Sequence, residues 1–530
     1  MTLSQNLSKF FIFLGANVPI MSCRMLAKTE LVCHDEQNTM DTFISILQAI
    51  GIILIVILFF NFMIFVHELG HFLAGKWRGA YIDRFQIWFG KPIWSKKIRG
   101  VEWGVGWIPA GGFVSLPQLE GMESIEGKSD LPKDIKPLTA KDKVIIAAAG
   151  PLFSLLLAFF FACIVWAVGK PVTEITDTRI GFVMEGSPAD KAGLRAGDII
   201  RKIDGEEVTK WMGNMEGVRE KIALSEHETI TLTVERPIPG QEPVMLDIQT
   251  SYEQPETKWW QRSAMRRIGI SMADEARVAE VMVNSPAAIA GIKPNQLITH
   301  FYNAEGEKIQ VHSSSTLVFE AQKGKEMRLE LLSDNGTTQT VTVTPVIPEN
   351  WQGLSEAKPI LGIKWGKPVG SADDLVSSID WEYPTPTEQV GQSLRWMGIT
   401  LDKLLAPSSS VGMEHLSGPV GIGSHMYDMM QLPAAIGWRL LLWFAVIINV
   451  NLAVLNILPL PVVDGGHVTL GIAEMLRGKP VNGAFLNWIM TGFIFLILFF
   501  FIFVTFKDVG DLVGKEEELP APVFNIPAQP

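Results

Sequence analysis

The sequence predicts a membrane protein with four transmembrane helices, a membrane-associated β-hairpin after the first helix, and two soluble α+β domains between the second and third helices. Three observations support this fold class. Four long apolar stretches occur, and a region of soluble composition with an internal repeat separates the second from the third. The mean hydropathy of +0.23 is too high for an ordinary soluble enzyme. The charged content of 19% is too high for a bare helix bundle, so a mixed architecture follows.

Composition also limits the partners. The formal net charge is −11 and there is no basic stripe to meet phosphates, which argues against nucleic acid and leaves the lipid bilayer as the expected partner. The cysteines are Cys23, Cys33 and Cys163. A disulfide framework is therefore not expected, and any domain outside the cytoplasm must be stabilised by its core alone.

The chain begins with an extension, residues 1–40, whose apolar part at 10–25 resembles a weak signal-peptide core. That part is too broken to span a bilayer, and Met40 is an alternative start. The first transmembrane helix is predicted over 41–75. This stretch exceeds the ~20 residues that a bilayer requires, so a site near its end lies in one leaflet and not at the midplane.

The end of this helix carries an HExxH motif, residues 67–71. Residues four apart share a helix face, so His67 and His71 can direct both imidazoles at one metal ion. Zinc lowers the pKa of a bound water to about 7, and Glu68 is placed to take the remaining proton. So short a motif also occurs by chance in helices that bind nothing. Ionisable groups inside a membrane cost about 2.5–3.5 kcal/mol each, which favours a metal site here.

Two histidines do not complete a zinc site, so a third protein ligand is required. The best candidates lie in the segment 456–467, which reads NILPLPVVDGGH and closes another apolar stretch. Pro459 and Pro461 end the helix, and the paired glycines allow a tight return of the chain. This places Asp464 at membrane depth, with His467 as the competing ligand.

HExxH in the first span combined with N-x-x-P-x-P-x-x-D-G-G at the end of the third resembles the site-2 protease family of intramembrane zinc metalloproteases. The resemblance implies Zn²⁺ held by the two histidines and Asp464, with Glu68 as the catalytic residue. It also places Asn451 and Asn456 toward the substrate, where an amide could bond the substrate backbone or the developing oxyanion. Without the resemblance, these asparagines would be read as helix-packing residues.

Residues 76–143 are predicted to form a cytoplasmic loop, since basic residues are in excess near the first span. Within it, 101–116 reads as short strands interrupted by glycines and a proline. A soluble hairpin is one interpretation. The resemblance instead implies a membrane-associated β-element that holds substrate as an extended strand. Within it we expect the backbone of Val105 and Val114 to contact the substrate. The basic residues are Lys76, Arg78, Arg84, Lys91, Lys96, Lys97 and Arg99.

The second span is predicted over 144–169 and opens with Ala149, Gly150 and Pro151, small residues that allow close helix packing. Members of the resembled family commonly carry asparagine where this chain has Ser154. The shorter serine leaves that position's role at the site open.

The soluble region contains a repeat. Residues 187–200 recur as 285–298, an offset of 285 − 187 = 98, which indicates two copies of one domain. The repeated segment resembles the short helix and following strand of PDZ domains, predicted over 174–253 and 262–347. Such domains bind an extended chain at a sheet edge. A second interpretation is that both domains are spacers or size filters with occluded grooves.

One further segment resembles a PDZ feature. Ile268, Gly269 and Ile270, which precede the second copy, look like a carboxylate-binding loop. We therefore expect these three residues to contact bound peptide.

The remaining chain is predicted to contain an amphipathic helix at 387–405, with Val390, Leu394 and Met397 among the residues at helical spacing. The predicted segments are a linker with this helix (367–436), the third span (437–458), a loop that carries the motif end (459–484), the fourth span (485–506) and an acidic tail (507–530).

Taken together, the resemblance implies an intramembrane zinc endopeptidase in a bacterial inner membrane, with PDZ domains and both termini in the periplasm and the active site toward the cytoplasmic leaflet. The implied substrates are single-pass membrane proteins already trimmed by another protease, such as anti-sigma factors of an envelope stress response, and remnant signal peptides. The alternative is a membrane-anchored PDZ scaffold with a vestigial metal site.

Overall fold

The computed structural model describes residues 34–118, 137–303, 305–368, 371–479, 483–514 and 519–524. Most of the N-terminal extension and the acidic run at 516–518 therefore lie outside the described residues. In chain order the helices are α1 (His34–Arg78), α2 (Ala140–Val168), α3 (Pro188–Lys191), α4 (Val218–Leu224), α5 (Pro286–Ile289), α6 (Ser314–Gln322), α7 (Ala372–Ser377), α8 (Pro386–Leu405), α9 (Pro419–Met430), α10 (Ala434–Ile457), α11 (Asp464–Arg477) and α12 (Gly483–Val513).

The strands form small sheets between these helices. In chain order they are β1 (Arg84–Ile98), β2 (Val101–Val114), β3 (Lys170–Pro171), β4 (Ile180–Val183), β5 (Ile199–Ile203), β6 (Glu206–Glu207), β7 (Thr229–Arg236), β8 (Val244–Ser251), β9 (Ile270–Met272), β10 (Val278–Val281), β11 (Leu297–Tyr302), β12 (Lys308–Gln310), β13 (Met327–Leu332), β14 (Thr338–Val343), β15 (Ile363–Trp365) and β16 (Trp381–Glu382).

Four of the described helices, α1, α2, α10 and α12, are long and apolar enough to cross a bilayer, which confirms the predicted number of spans. Helix α2 lies centrally and packs against α1, α10 and α11. Side chains from three of the spans form one buried cluster, which includes Met63, Phe161 and Val446. The start of α2 is fixed by a capping box between Thr139 and Asp142.

Asp142 also accepts a hydrogen bond of 2.6 Å from Nε of Arg78 at the end of α1. The basic end of the first span is thereby joined to the start of the second.

The β-element after α1 is more complex than the predicted hairpin. Residues 84–87 of β1 pair with 102–105 of β2 in the same chain direction and with 112–114 in the opposite direction. Residues 92–98 fold back against 101–106. The result is a small sheet in which 84–87 is central and 112–114 lies at an edge. Phe85 is buried against Phe72 of α1, so the sheet packs directly on the first span.

The soluble region contains two units of the same topology. The first has a four-stranded sheet in the order β6-β5-β7-β8 and a pair β4-β9, and the second has β12-β11-β13-β14 and β10-β15. Strand β9 therefore belongs to the first unit, which ends at Met272, and β15 closes the second unit at Trp365. The expected boundaries at 253, 262 and 347 fall too early, because each unit takes its last strand from chain beyond its four-stranded sheet.

The repeated segments occupy equivalent places in the two units. Ser187 caps α3 and Ser285 caps α5, each accepting a hydrogen bond from a backbone N–H three residues on. Gly269 and Gly362 lie opposite these serines with φ of +87° and +76°, and a Cβ on either would come within 2.3 Å of the serine Cβ. Glycine is therefore required twice, once in each unit.

The chain between the second unit and the third span differs from the prediction in detail. Helix α8 forms as expected, but its buried face is Gln389, Ser393, Trp396 and Met397, whereas Leu394 is 45% exposed. The reason is tertiary: α8 packs against α10 and α2, with the Trp396 ring 6.0 Å from that of Trp443.

A helix also replaces part of a predicted loop, since α11 occupies much of 459–484. The sequence expectation for that region included only the turn that follows the third span.

One carboxylate joins three parts of the molecule, and we call this arrangement the Asp508 clamp. Asp508 on α12 is 2% exposed and accepts hydrogen bonds from the backbone N–H groups of Gly418 and Gly421 at the start of α9. It also forms an ion pair with Arg262, which lies in the chain between β8 and β9 of the first unit. Arg262 contacts Asp511 as well.

Candidate metal centre and active site

Helices α1 and α11 bring three potential ligands together. Nε2 of His67 lies 3.2 Å from Oδ2 of Asp464, and Nε2 of His71 lies 3.3 Å from Oδ1. The three ligand atoms all fall within 4.8 Å of one another, and both imidazoles are buried. No other such group of His, Cys, Asp or Glu occurs within the described residues.

The other ring nitrogens show that the site fits a cation. Nδ1 of His71 lies 2.9 Å from the carbonyl oxygen of Ile146. Because a carbonyl only accepts, Nδ1 carries the proton of the neutral ring, and Nε2 presents a lone pair toward Asp464. A lone pair facing a carboxylate oxygen is repulsive unless a cation lies between them. Two imidazoles and one carboxylate form a donor set that zinc prefers, with its outer hydrogen bonds already in place.

His67 is held in the same manner by α2. Its Nδ1 lies 2.9 Å from Oγ of Ser154, which is fully buried. With Nδ1–H donating to the hydroxyl oxygen, Nε2 is directed at Asp464. Ser154, whose role was left open by the sequence, thus reaches the site through His67 in spite of its short side chain.

Glycines make room for the ligands. A Cβ on Gly150 would lie 2.1 Å from Nε2 of His71, so any larger residue there would displace the imidazole. A Cβ on Gly70 would lie 2.5 Å from the carbonyl oxygen of Ala149. The small residues at the start of the second span therefore allow the close approach of α1 and α2 that the sequence predicted.

Asp464 is positioned by a tight return after α10. Helix α11 begins at Asp464 itself, and Cβ atoms on Gly465 and Gly466 would lie 2.2 Å from the carbonyl oxygens of Leu458 and Leu460. The paired glycines are needed for this backbone contact and not for an unusual backbone angle. An ion pair between Lys143 and Glu474, 3.1 Å long, joins α11 to α2.

His467, the competing ligand, is buried one turn further along α11. It is not part of the three-residue group. The geometry therefore favours Asp464.

Glu68 lies beside the ligands and next to the β-element. The backbone of Val114 hydrogen-bonds its carboxyl group. A Cβ on Gly112 would lie 3.3 Å from Cγ of Glu68 and 3.2 Å from Cγ2 of Ile64. The sheet edge at 112–114 therefore approaches the carboxylate directly. At Gly112 there is no side chain to separate the two.

The two candidate asparagines differ. Nδ2 of Asn456 is 3.5 Å from Nε2 of His67, so this amide lies at the site. Asn451 is partly buried on the same helix, and the described residues include no hydrogen bond from its side chain. Asn449, by contrast, is buried and its Nδ2 donates to the carbonyl of Ala445.

The predicted substrate contacts in the β-element need correction. Val105 pairs with both Ile87 and Trp94, so its strand has neighbours on each side and offers no free edge for an added chain. Val114 lies at the edge, but its backbone bonds Glu68. The edge nearest the ligands centres on Gly112.

The predicted carboxylate-binding loop lies in the first unit. Ile268 is 1% exposed and belongs to the core, and its carbonyl accepts from the N–H of Ala189. The carbonyl of Gly269 accepts from Met184, and Ile270 starts β9. These residues therefore belong to the first unit and not to the group of metal ligands.

Sequence reasoning missed two parts of the site. The carbonyl of Ile146 carries no side-chain signal, because any residue supplies one. Gln86 is fully buried and donates to the carbonyls of Trp88 and Gly90, which fixes the turn of the β-element, and Nε1 of Trp88 donates to Asn61 of α1 at 2.5 Å. The sequence signal that could have indicated this turn was a glutamine close to tryptophan and glycine in an apolar segment.

The chain matches known proteins over most of its length. The model of peptidase family M50 matches residues 53–500. A protein of Neisseria meningitidis serogroup A described as a candidate zinc metalloprotease is 27% identical over 85% of this chain and 97% of the relative. The regulator of sigma E protease of Haemophilus influenzae is 29% identical over 83% and 93%. The regulator of sigma-E protease RseP of Escherichia coli K12 is 26% identical over 79% and 90%.

Proposed function

Because the chain belongs to peptidase family M50 and is a membrane-embedded zinc metalloprotease of the site-2 type, we propose that it cleaves the transmembrane segments of single-pass membrane proteins. In this proposal His67, His71 and Asp464 hold the Zn²⁺ ion. Glu68 is the catalytic acid and base.

The observation that carries the proposal is the convergence of three ligand atoms within 4.8 Å, with Glu68 adjacent but outside the set. Bound zinc supplies a Lewis acid that lowers the pKa of a coordinated water and polarises the scissile carbonyl. Glu68 accepts a proton from the attacking water and delivers it to the leaving amine nitrogen. The amide of Asn456, 3.5 Å from His67, is placed to donate to the carbonyl oxygen as it gains charge.

A transmembrane helix must unwind before water can attack it, since its backbone is shielded by its own hydrogen bonds. In lipid the freed N–H and C=O groups need new partners. We assign this role to the sheet edge centred on Gly112, which approaches Glu68 and can accept substrate as an added strand. Substrates with helix-breaking residues near the cleaved bond are then preferred.

The orientation in the membrane follows from charge. Basic residues cluster between the first two spans, which supports an orientation with the β-element and the active site toward the cytoplasmic leaflet of a bacterial inner membrane. The two units and both termini then lie in the periplasm. Their shared topology and the strand-and-glycine arrangement at 268–272 and 361–365 support PDZ-like domains.

The names of the Haemophilus and Escherichia relatives support a role in sigma-E regulation. The corresponding substrates are anti-sigma factors already trimmed by another protease, and remnant signal peptides. The two periplasmic units need only their volume to exclude intact ectodomains, so we favour a size filter over obligatory peptide binding.

Glu68→Gln tests the proposal against the alternative of a scaffold with a vestigial metal site. The variant keeps the three ligands, so we expect zinc stoichiometry by elemental analysis to match the unaltered protein while cleavage of a transmembrane model peptide is lost. An unaltered protein that binds zinc and never cleaves would favour the scaffold. Equal cleavage by both proteins would exclude Glu68 as the catalytic residue. Zinc loss in a folded Glu68→Gln variant would place Glu68 among the ligands.

A further inference from the structure

The end of the described chain, residues 519–524, lies against the second unit, and we call this segment the tail. Two side chains of the 3₁₀ turn at Glu349–Trp351 bind its carbonyl groups. Nε1 of Trp351 donates to the carbonyl of Pro520 at 2.7 Å, and Nδ2 of Asn350 donates to that of Ala521 at 2.8 Å. The turn thus recognises the backbone of the tail, whatever the side chains are.

Val523 shows the same backbone recognition at the other end of the tail. Its carbonyl accepts from the backbone N–H of Glu349 at 2.9 Å, and its own N–H donates to Oδ1 of Asn350 at 2.9 Å. The Asn350 amide therefore both donates to and accepts from the tail, as a neighbouring strand would. The Val523 side chain is 50% exposed and contributes little burial.

Phe524 is the side chain that the second unit encloses. It is 5% exposed, and its Cε2 lies 3.2 Å from the position of a Cβ on Gly362. At the corresponding Gly269 of the first unit, the three atoms nearest to such a Cβ belong to Ser187 and Met184. Phe524 thus lies beside Gly362 of the second unit, where it is enclosed.

The tail is chemically suited to this site. Pro520 and Pro522 restrict the backbone to extended conformations, so little entropy is lost on binding. An indole N–H directed at a carbonyl of a proline-rich chain is the recognition used by aromatic-lined grooves for such peptides. We propose that the second unit carries a binding site for an extended, proline-rich peptide with an aromatic anchor, and that the tail is its intramolecular ligand. The site is independent of the proposed protease activity.

The tail also ties the second unit to the fourth span. Helix α12 ends at Val513 and the first tail contact is at Pro520. Seven residues span at most about 25 Å, so the bound tail limits how far the second unit can move from the end of α12.

The test uses a chain that ends at Gly514, which keeps all four spans, and a fluorescent peptide of residues 519–525. We expect the peptide to bind the shortened chain, because its site is vacated. An intact tail acts at an effective concentration in the mM range, so peptide binding to the full chain should be at least about tenfold weaker. A peptide with Phe524→Ala should bind the shortened chain at least about tenfold more weakly than the unaltered peptide does, since the buried ring is lost.

Trp351→Phe removes the indole donor but keeps an aromatic ring, and should weaken peptide binding about two- to tenfold. Gln352→Ala, an exposed change next to it, is the matched control and should have no effect. In the intact chain, hydrogen exchange at the Val523 amide should be slow and should accelerate in Asn350→Ala. The proposal is wrong if the full and shortened chains bind the peptide equally. It is also wrong if a folded shortened chain does not bind the peptide at about 1 mM, or if the Val523 amide of the intact chain exchanges without protection.

Discussion

The metal centre and the two repeated units both depend on glycines, but for different purposes. In the centre, Gly150 leaves space for a ligand, with His71 Nε2 2.1 Å from where a Cβ would be. In the units, Gly269 and Gly362 adopt positive φ and let the chain pass Ser187 and Ser285. The space beside His71 is needed at one site, on which all the chemistry depends. The positive φ beside a serine is needed in each of the two units. Single changes should therefore abolish activity in the centre and only loosen one unit elsewhere.

The largest effect is expected for Gly150→Ala. The added methyl group occupies the space of the His71 ring, so zinc binding and cleavage should both be lost. Gly51→Ala, the same change in α1 where a Cβ meets nothing within 4 Å, is the control and should retain both. The measurements are zinc stoichiometry and cleavage of a transmembrane peptide. Full zinc occupancy in Gly150→Ala would contradict the placement of His71.

A smaller effect is expected for Ser154→Ala. Loss of the hydroxyl leaves Nδ1 of His67 buried without its partner at 2.9 Å. Outer hydrogen bonds of this kind usually contribute 10- to 100-fold in metal affinity or activity. Titration with a zinc chelator should show this shift, and Ser154→Asn should restore part of the affinity, because an amide oxygen can accept from the same nitrogen. Unchanged affinity in Ser154→Ala would show that His67 is oriented by other contacts.

The comparison predicts a different outcome for Gly269→Ala in the first unit. The Cβ would clash with Ser187 and the positive φ would be strained, so this unit should lose roughly 1–3 kcal/mol of stability. Cleavage of a short transmembrane peptide should stay within about twofold, since no metal ligand lies in the unit. Limited proteolysis of the first unit and peptide cleavage are the two readouts. Loss of zinc would show that the unit and the centre are coupled.

The last expected effect concerns stability alone and is a pH dependence of the first unit. Burial raises the pKa of Glu220 to about 7 from 4.5, and nearby backbone N–H groups and the charge of Arg219 oppose this only in part. The folded unit then binds more protons than the unfolded chain between these values, so its free energy of unfolding falls as pH rises from 4.5 to 7, by roughly 3 kcal/mol in total.

Glu220→Gln should flatten that slope and stabilise the unit at pH 8. The exposed Glu207→Gln should leave it unchanged. Thermal unfolding of the full chain monitored at the first unit, from pH 4.5 to 8, checks both variants.

Much of the fold was predictable because periodicity and spacing act locally. Four apolar stretches gave the spans, and the i,i+4 histidines required only a helix. The segment 456–467 offered both Asp464 and His467 as the third ligand, and only the family resemblance favoured Asp464, since no local pattern connects either residue to the first span. The repeat offset located α3 and α5, but each unit is closed by a distant strand, β9 or β15, which no local pattern reveals.

The errors have physical causes of the same kind. Val105 alternates as a strand residue should, but whether its strand lies at an edge depends on how β1 folds back, which is a tertiary property. Leu394, one of the apolar residues at helical spacing in α8, is exposed, whereas the polar Gln389 is buried because the carbonyl of Ala162 supplies a partner for its amide. Helix α11 was not predicted, because the two glycines in its first turn are typical of a turn and not of a helix.

The Asp508 clamp has a mechanical consequence. One carboxylate on the fourth span is bonded by the first turn of the helix that leads into α10 and by an arginine from the chain of the first unit. A displacement of the first unit at Arg262 should therefore act on α12 and α9 together, and α9 is joined by a short turn to the span that carries Asn456. One ion pair thus links the position of the first unit, through α9, to the helix whose end lies beside the metal ligands.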